Sequence, residues 1–150
     1  MIKFSEEKFA DIWEGEFKQL AFDHWDETMR PVTNDEFNPD TKRYINFNEI
    51  GFYRLYTARK DGVLVGDIGI YITDSMHTQK KTATEDSWYM KPEVRNGRNS
   101  LRFLEFVENE LKKMGVTSIS TTTPPLAKSA RLMEFCGYKN LTNGYHKELI

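Results

Sequence analysis

Hydrophobic residues recur at helical spacing along the first part of the chain. The residues that would share one helix face are Phe9, Ile12, Trp13, Phe17 and Leu20. They follow Ser5-Glu6-Glu7, where a hydroxyl cap and two negative charges favour a helix start. The pattern predicts a helix over about Ser5–His24 that could continue to Met29. The polar residues 31–39 predict a loop, and Pro39-Asp40 predicts the start of a short helix that ends at Gly51.

Aromatic and β-branched residues then predict three consecutive strands. The first covers 52–59, and the second covers 64–72, where apolar residues alternate with small and polar ones. Asp61-Gly62 between them is a strong hairpin signal. Residues 77–81 form a polar connection to a third strand over 82–90, which Pro92 ends. The sheet is therefore expected to be mostly antiparallel in this part of the chain.

The second half of the chain returns to helical periodicity. An amphipathic helix carries apolar residues from Leu101 to Met114 and ends at Gly115. The remaining predicted elements are a strand over 116–122 that Pro124-Pro125 breaks, a helix over 127–135 that Gly137 ends, and two short strands over 138–141 and 145–149 around the hairpin signal Asn143-Gly144. This order predicts an α/β protein of the α+β type, with a mixed sheet.

Composition narrows the class of protein. The 150 residues, of which 39% are hydrophobic and 13% aromatic, suit one domain over 1–150 and exclude a disordered chain. A net charge of −2 makes a dedicated nucleic-acid binder unlikely as a class. The single cysteine, Cys136, excludes an intrachain disulfide and a cysteine-based metal cage. With no membrane-spanning apolar run and no export signal, we expect a cytoplasmic protein that contacts no membrane.

The segment from Trp88 to Ser100 carries the most chemical information. A strand ends, a polar turn with one glycine follows, and a helix begins at once. Backbone N–H groups at a helix N-terminus bind anions because they lack intrahelical partners and the helix dipole favours negative charge. Gly97 leaves space for a phosphate, and Arg95, Arg98 and Arg102 add positive charge. The segment therefore predicts an anion site, with an ordinary solvated turn as the alternative.

Two motifs resemble the signatures of the Gcn5-related N-acetyltransferases, the GNAT superfamily. The family pattern Tyr-Val-x-Pro-Glu-Tyr-Arg before a glycine-rich turn is matched at these positions: Tyr89, Met90, Pro92, Glu93 and Arg95. Residues 132–138 resemble the later family pattern Leu-Tyr-Glu-x-x-Gly-Phe. The front half also resembles small acetyltransferase-like proteins of tailed bacteriophages, in features such as His24-Trp25 and His77.

The resemblance implies a GNAT fold with six to seven strands, flanked by about four helices. It also implies an N-acetyltransferase that moves an acetyl group from acetyl-CoA to a primary amine of unknown identity by direct attack. The pantetheine arm would pair with the strand Ser87–Met90, and the pyrophosphate would lie on the turn Arg95–Ser100. The cofactor-binding residues implied in this way are Tyr89, Met90, Arg95, Asn96, Gly97, Arg98, Asn99 and Ser100.

Glu85 and Asp86 are the candidate general bases, because they are the nearest carboxylates before the cofactor strand. Asp86 is preferred, since strand alternation would place it on the same face as Trp88 and Met90. The family's usual acid, a tyrosine, falls on Met133, which cannot donate a proton. Tyr145 is the alternative acid; otherwise the acid is dispensable or the domain does not catalyse.

The departures from the family pattern keep a second function class open. Arg98 and Ser100 stand where the family commonly has glycine or another small residue. The alternative is therefore a GNAT-fold protein without catalysis, acting as a phage virion component or binding host proteins. His24 and His77 show no metal-ligand spacing, so no metal is predicted. A homodimer is the oligomeric alternative to a monomer.

Overall fold

The computed structural model describes residues 1–123 and 127–150, and a five-stranded sheet forms its centre. The strands, adjacent in chain order, are β1 (Ile2–Glu6), β2 (Tyr53–Lys60), β3 (Val63–Asp74), β4 (Lys81–Met90) and β5 (Ser118–Ser120). The first four are antiparallel, and β5 runs parallel to β4. The predicted mixed, mostly antiparallel sheet is confirmed, but the predicted number of six to seven strands is wrong for the described part of the chain.

Four helical units surround the sheet. The first is bent: α1 (Phe9–Ile12) and α2 (Lys18–Thr28) are joined by the irregular helical turn Trp13–Phe17, where Gly15 leaves helical geometry at φ −97° and ψ −122°. The others are α3 (Thr41–Glu49), α4 (Gly97–Lys113) and α5 (Lys128–Phe135). A short 3₁₀ turn, Pro92–Val94, precedes α4.

Each face of the sheet has its own apolar core. On one face, α4 packs Phe103, Val107 and Leu111 against sheet residues that include Ile68 and Ile70. On the other face, the bent helix and α3 cover the second cluster: Phe9, Trp13, Phe17, Leu20, Tyr53, Leu55, Leu64 and Tyr89. The apolar periodicity of the two long helices is therefore explained by burial, which removes their apolar stripes from water.

The β2–β3 hairpin turns at Asp61-Gly62, as predicted. Both residues have positive φ, 51° and 83° respectively. Two successive positive φ angles define the type I′ turn, whose twist matches that of the paired strands and which favours an Asp-Gly sequence. This turn joins β2 to β3 and brings Lys60 opposite Val63.

Two terminal predictions are wrong. Ser5 does not begin a helix, because Ile2–Glu6 pairs with β2 from Ile2 opposite Lys60 to Glu6 opposite Tyr56, and the helix starts at Phe9. The two strands predicted over 138–141 and 145–149 do not form, and residues 138–150 have no regular secondary structure.

The strand predicted over 116–122 forms only in part, because the observed strand covers Ser118–Ser120. The break predicted at Pro124-Pro125 lies outside the described residues. In the part of the chain that the structure describes, no helix is long and apolar enough to cross a lipid bilayer.

Candidate active site

A cleft of ≈ 1610 Å³ opens where β4 and β5 separate. The two parallel strands pair only from Thr82 opposite Ser118 to Thr84 opposite Ser120. Beyond this point the last residues of β4 line one wall, and Thr122, Thr123 and the start of α5 line the other. Small-ligand pockets are typically about 300–1,000 Å³, so this cleft is larger than the usual pocket for one small ligand.

A bulge in β4 sets the direction of the candidate bases. Ser87 lies opposite Gly69 and Glu85 lies opposite Ile70, so Asp86 is an extra residue without a partner on β3. A bulge of this kind bends the strand and changes the direction of the side chain at the extra position.

The bulge overturns the alternation argument for Asp86. Trp88 and Met90 pack with the α4 core, whereas Asp86 contacts Tyr44 of α3 on the opposite face. Glu85, opposite Ile70, is the carboxylate on the α4 side, although it also lines the cleft. Asp86 therefore faces the aromatic end of the cleft.

Two tyrosines lie beside Asp86. The Tyr44 hydroxyl donates a hydrogen bond of 2.7 Å to Asp86 Oδ2, and the Tyr71 side chain is near the same carboxylate. Burial raises the pKa of Asp86, and the two tyrosines oppose that rise because they stabilise the carboxylate. Burial and the negative charge of Asp86 raise the pKa of Tyr44, so this phenol stays protonated and remains a donor.

Two further acids line the cleft: Asp67, which is buried, and Glu85, which is half-buried. Burial raises the pKa of Asp67 to about 7, the charge of Asp86 adds to the rise, and a 2.7 Å hydrogen bond from Ser87 Oγ opposes it. Burial also raises the pKa of Glu85 to about 7, with further contributions from Asp86 and Asp67. Asp67 Oδ1 has no hydrogen-bond partner among residues 1–123 and 127–150. Three carboxylates thus share one poorly solvated region.

The N-terminus of α4 closes the other end of the cleft. Asn96 caps the helix, since its Oδ1 accepts the N–H of Asn99 at 2.9 Å. The N–H groups of Gly97 and Arg98 belong to the first turn, where a helix offers no carbonyl acceptor. A Cβ built on Gly97 meets no atom of the described chain within 4 Å. Ser100 is buried, with its Oγ 3.7 Å from Met90 Sδ.

The three arginines do not act as one cluster. Arg95 donates to the Met90 carbonyl at 2.8 and 3.2 Å and pairs with Glu27 at 3.1 Å. The guanidinium of Arg102 lies 5.8 Å from the ring centroid of Phe4, away from the cleft lining. Arg98 is exposed at the start of α4. The expectation of three arginines around one anion is therefore wrong for Arg102.

The remaining predicted residues divide between the cleft and the surface. Tyr145 is 93% exposed and does not line the cleft. Met133 is buried on α5, and Thr121 Oγ1 lies 3.4 Å from its sulfur. His77 is exposed, but His24 lines the cleft and stacks on Tyr89 with ring centroids 4.9 Å apart. Burial lowers the pKa of His24, which favours the neutral imidazole.

Sequence reasoning missed three polar groups of the site: Tyr44, Asp67 and Tyr71. One local signal was present for Asp67, because an aspartate stands in the middle of an otherwise apolar strand pattern. The tyrosines give no such signal, since aromatic residues in a strand or helix usually indicate core. In the described ranges, no group of three or more His, Cys, Asp or Glu side chains is arranged to hold a metal ion.

The sequence was compared with protein families and with curated proteins. Residues 13–138 match the model of a family described as the acetyltransferase (GNAT) family. No curated protein matches the sequence of the chain.

Solved structures share the fold at low sequence identity. An aminoglycoside acetyltransferase from an uncultured soil metagenomic sample, in complex with trehalose, superposes with a TM-score of 0.78 at 10% identity, covering 99% of this chain and 97% of that one. A ribosomal-protein-alanine N-acetyltransferase from Brucella melitensis biovar Abortus 2308 gives 0.77 at 13%, with 100% and 98% covered. A predicted acetyltransferase with acetyl-CoA from Clostridium acetobutylicum gives 0.71 at 14%, with 99% and 96% covered.

These likenesses confirm the predicted fold class. At such identities they carry no information about the acceptor. The resemblance to bacteriophage proteins, the cytoplasmic location and the homodimer stay predictions.

Proposed function

The chain belongs to the acetyltransferase (GNAT) family, and from this premise we propose that its cleft moves an acetyl group directly from acetyl-CoA to a primary amine. Membership of this family makes the chain an acetyl-CoA-dependent N-acetyltransferase. The observation that carries the proposal is the cleft itself, whose lining includes both the N-terminus of α4 and the buried or half-buried carboxylates Asp67, Glu85 and Asp86.

The residues around the cleft fit coenzyme A. The N-terminus of α4, from Asn96 to Ser100, would hold the pyrophosphate, because its first N–H groups lack acceptors and Gly97 leaves the approach open. The exposed Arg98 would add positive charge there. Beyond Thr84, the edge of β4 that faces β5 is free of strand pairing with it, which suits a pantetheine arm lying along Tyr89 and Met90.

Arg95 has a different role in this account. Its guanidinium is already engaged by the Met90 carbonyl and by Glu27, and it lies 5.3 Å from the ring centroid of Tyr89. We therefore assign Arg95 to holding the end of β4 in place beside the turn, as a positioning residue.

Asp86 is the proposed general base. The amine nitrogen attacks the thioester carbonyl carbon, the C–S bond breaks with its electron pair on sulfur, and the nitrogen's proton passes to Asp86. A raised pKa favours this step, since a base works best when its pKa lies near the working pH. The rival is Glu85, whose pKa of about 7 suits the same task from the other face of the strand.

The absence of a tyrosine at Met133 does not prevent the reaction. Thiols have an ordinary pKa of about 8.5, so the sulfur leaves readily as a thiolate and takes its proton from solvent. This argument removes the need for Tyr145, which is exposed and outside the cleft lining.

Steady-state acetyl transfer to a panel of amines tests the assignment, with acetyl-CoA consumption as the readout. Asp86→Asn should lower kcat by about 10²-fold or more, the usual contribution of a general base. Tyr145→Phe, the matched control, should leave the rate unchanged. A full rate in Asp86→Asn with a large loss in Glu85→Gln would move the role to Glu85.

A further inference from the structure

The acidic and basic residues that line the cleft are unequal in number. Its described lining contains seven acidic side chains against one arginine and one lysine. The basic residues, Arg95 and Lys128, lie just before α4 and on α5, near the place proposed for the phosphates of coenzyme A. Glu27 pairs with Arg95, and the other six acidic residues lie on the sheet, on the loop between α2 and α3 and at the start of α3, so an acceptor in this cleft meets an excess of carboxyl groups.

Five of these acidic residues form two groups. The floor carboxylates are the buried Asp67 and the half-buried Glu85 and Asp86 on the sheet, and the rim carboxylates are Asp35 and Glu36 on the loop between α2 and α3. The rim carboxylates are exposed. Asp40 also lines the cleft, but its side chain caps α3 and its Oδ2 lies 3.6 Å from Arg43 Nε. We therefore do not count it among the rim carboxylates.

One oxygen of the floor carboxylates, Asp67 Oδ1, receives no hydrogen bond in the described chain. Asp67 is 1% exposed, lines the cleft and has an Oδ1 with no hydrogen-bond partner in the described chain. A buried acceptor left unpaired costs free energy, and a protonated or neutral amine offers the donors that such an oxygen lacks. This observation is independent of the rim and points to the same kind of ligand.

The rim carboxylates are not needed by the reacting nitrogen. An attacking amine must be neutral, and the floor already holds the groups that take its proton. The rim charges therefore favour other nitrogens of the acceptor that stay protonated. Trp25 and Phe37, with ring centroids 5.7 Å apart, also line the cleft. Their ring faces would contact the hydrocarbon that joins the acceptor's nitrogens and would attract the positive charges.

We propose that the acceptor is a small oligoamine, a molecule with two or more protonated amines, which places one nitrogen at the floor carboxylates and another against the rim carboxylates Asp35 and Glu36. This inference rests on the proposed acetyl transfer and adds the class of acceptor. Two sources share the chemistry: a linear polyamine and an aminoglycoside.

The test compares three probes in the acetyl-transfer assay: spermidine as the linear polyamine, sisomicin as the aminoglycoside, and propylamine as the single amine. At least one of the two oligoamines should exceed propylamine in kcat/KM by about tenfold or more. The D35N/E36Q variant should lower the ratio of kcat/KM for the oligoamine to kcat/KM for propylamine about fivefold, the size expected for two exposed charge pairs. A higher salt concentration should lower the same ratio.

A matched control carries the same charge change outside the cleft. Asp11 and Glu14 are exposed and are not part of the described cleft lining, so D11N/E14Q should leave the ratio unchanged. If propylamine matches both oligoamines, or if D35N/E36Q and D11N/E14Q behave alike, the inference is overturned.

Calorimetry separates this inference from the proposed function. Spermidine and sisomicin are titrated into the protein with coenzyme A present, so that binding is seen without turnover. Binding that D35N/E36Q weakens about fivefold supports an oligoamine site even if no amine is acetylated, a result that would refute only the transfer. If neither oligoamine binds, the site is refuted, whatever the fate of other amines.

Discussion

The most informative single perturbation of the buried acids is Asp67→Asn. Asp67 is 1% exposed, and burial raises its pKa from an ordinary 3.8 to about 7. A group whose folded pKa is raised stabilises the fold fully below its unfolded pKa, and that contribution is lost as pH rises through the folded pKa. For Asp67 the window therefore runs from about pH 4 to about pH 7, and the folded protein should weaken across it.

The size of the effect follows from the pKa. One pKa unit corresponds to about 1.36 kcal/mol, so a shift of about three units is worth about 4 kcal/mol over the full range. Between pH 5 and pH 8.5 the loss is about 2–3 kcal/mol. Part of the shift belongs to coupling with Asp86 and Glu85, so this figure is an upper bound for Asp67 alone.

Asp67→Asn changes both the free energy of unfolding and the way that free energy depends on pH. Its amide oxygen keeps the hydrogen bond from Ser87, but its NH₂ group takes the position of the unpartnered Oδ1. At pH 5 we therefore expect Asp67→Asn to be less stable than the parent by about 1–3 kcal/mol. Above pH 7 the difference should shrink or reverse, because the amide never ionises.

Urea unfolding at half-unit steps from pH 5 to pH 8.5 measures this directly. The difference in free energy of unfolding between Asp67→Asn and the parent should move by about 2–3 kcal/mol in favour of the variant. Asp11→Asn, an exposed change of the same kind, is the control and should follow the parent. Parallel curves for Asp67→Asn and the parent would refute the reasoning that Asp67 titrates in the fold near neutral pH.

Two further predictions concern the base and the core. Tyr44→Phe removes the 2.7 Å hydrogen bond to Asp86, so the pKa of Asp86 should rise and the acidic limb of kcat/KM should move up by about one pH unit; an unmoved limb would detach Tyr44 from catalysis. Phe103→Ala should lower the free energy of unfolding by about 3–5 kcal/mol, because Phe103 is 0% exposed. Phe135→Ala, at a side chain that is 78% exposed, should change the free energy of unfolding by no more than about 0.5 kcal/mol. Equal losses for the two variants in urea unfolding would contradict the assignment of Phe103 to the core.

Elements with a strong local signal were predictable. The Asp61-Gly62 hairpin needs positive φ at both residues, and aspartate and glycine are among the residue types that adopt positive φ in such turns. The start of α4 was predictable for the same reason, since a polar turn with Asn96 and Gly97 precedes the apolar helical pattern, and Asn96 caps the helix. In both cases a short stretch of chain contains the physical cause.

Elements that depend on distant partners were not predictable. Ile2–Glu6 offers only two strongly apolar residues and is a strand because β2 pairs with it, while its Ser5 and Glu6 favour a helix cap locally. The hairpin signal Asn143-Gly144 produces no strands, since a turn sequence supplies none of the pairing that a strand requires.

The orientation of the base was equally beyond local reasoning. Strand alternation predicts one face for Asp86, and the bulge opposite Gly69 and Ile70 reverses it. The contact with Tyr44 joins residues 42 positions apart, so no spacing rule reveals it. The candidate base was therefore found by position along the chain, and its surroundings only by the fold.

Calorimetric titration of acetyl-CoA into the parent protein, Gly97→Asp and Gly97→Asn tests most directly whether this cleft binds acetyl-CoA at the N-terminus of α4. The two variants differ in charge alone, and a Cβ at Gly97 meets nothing within 4 Å, so both should fold. A negative charge there stabilises the helix but repels a pyrophosphate. We predict micromolar binding by the parent and at least tenfold weaker binding by Gly97→Asp than by Gly97→Asn. No heat from the parent at millimolar acetyl-CoA, or equal affinities for the two variants, would contradict it.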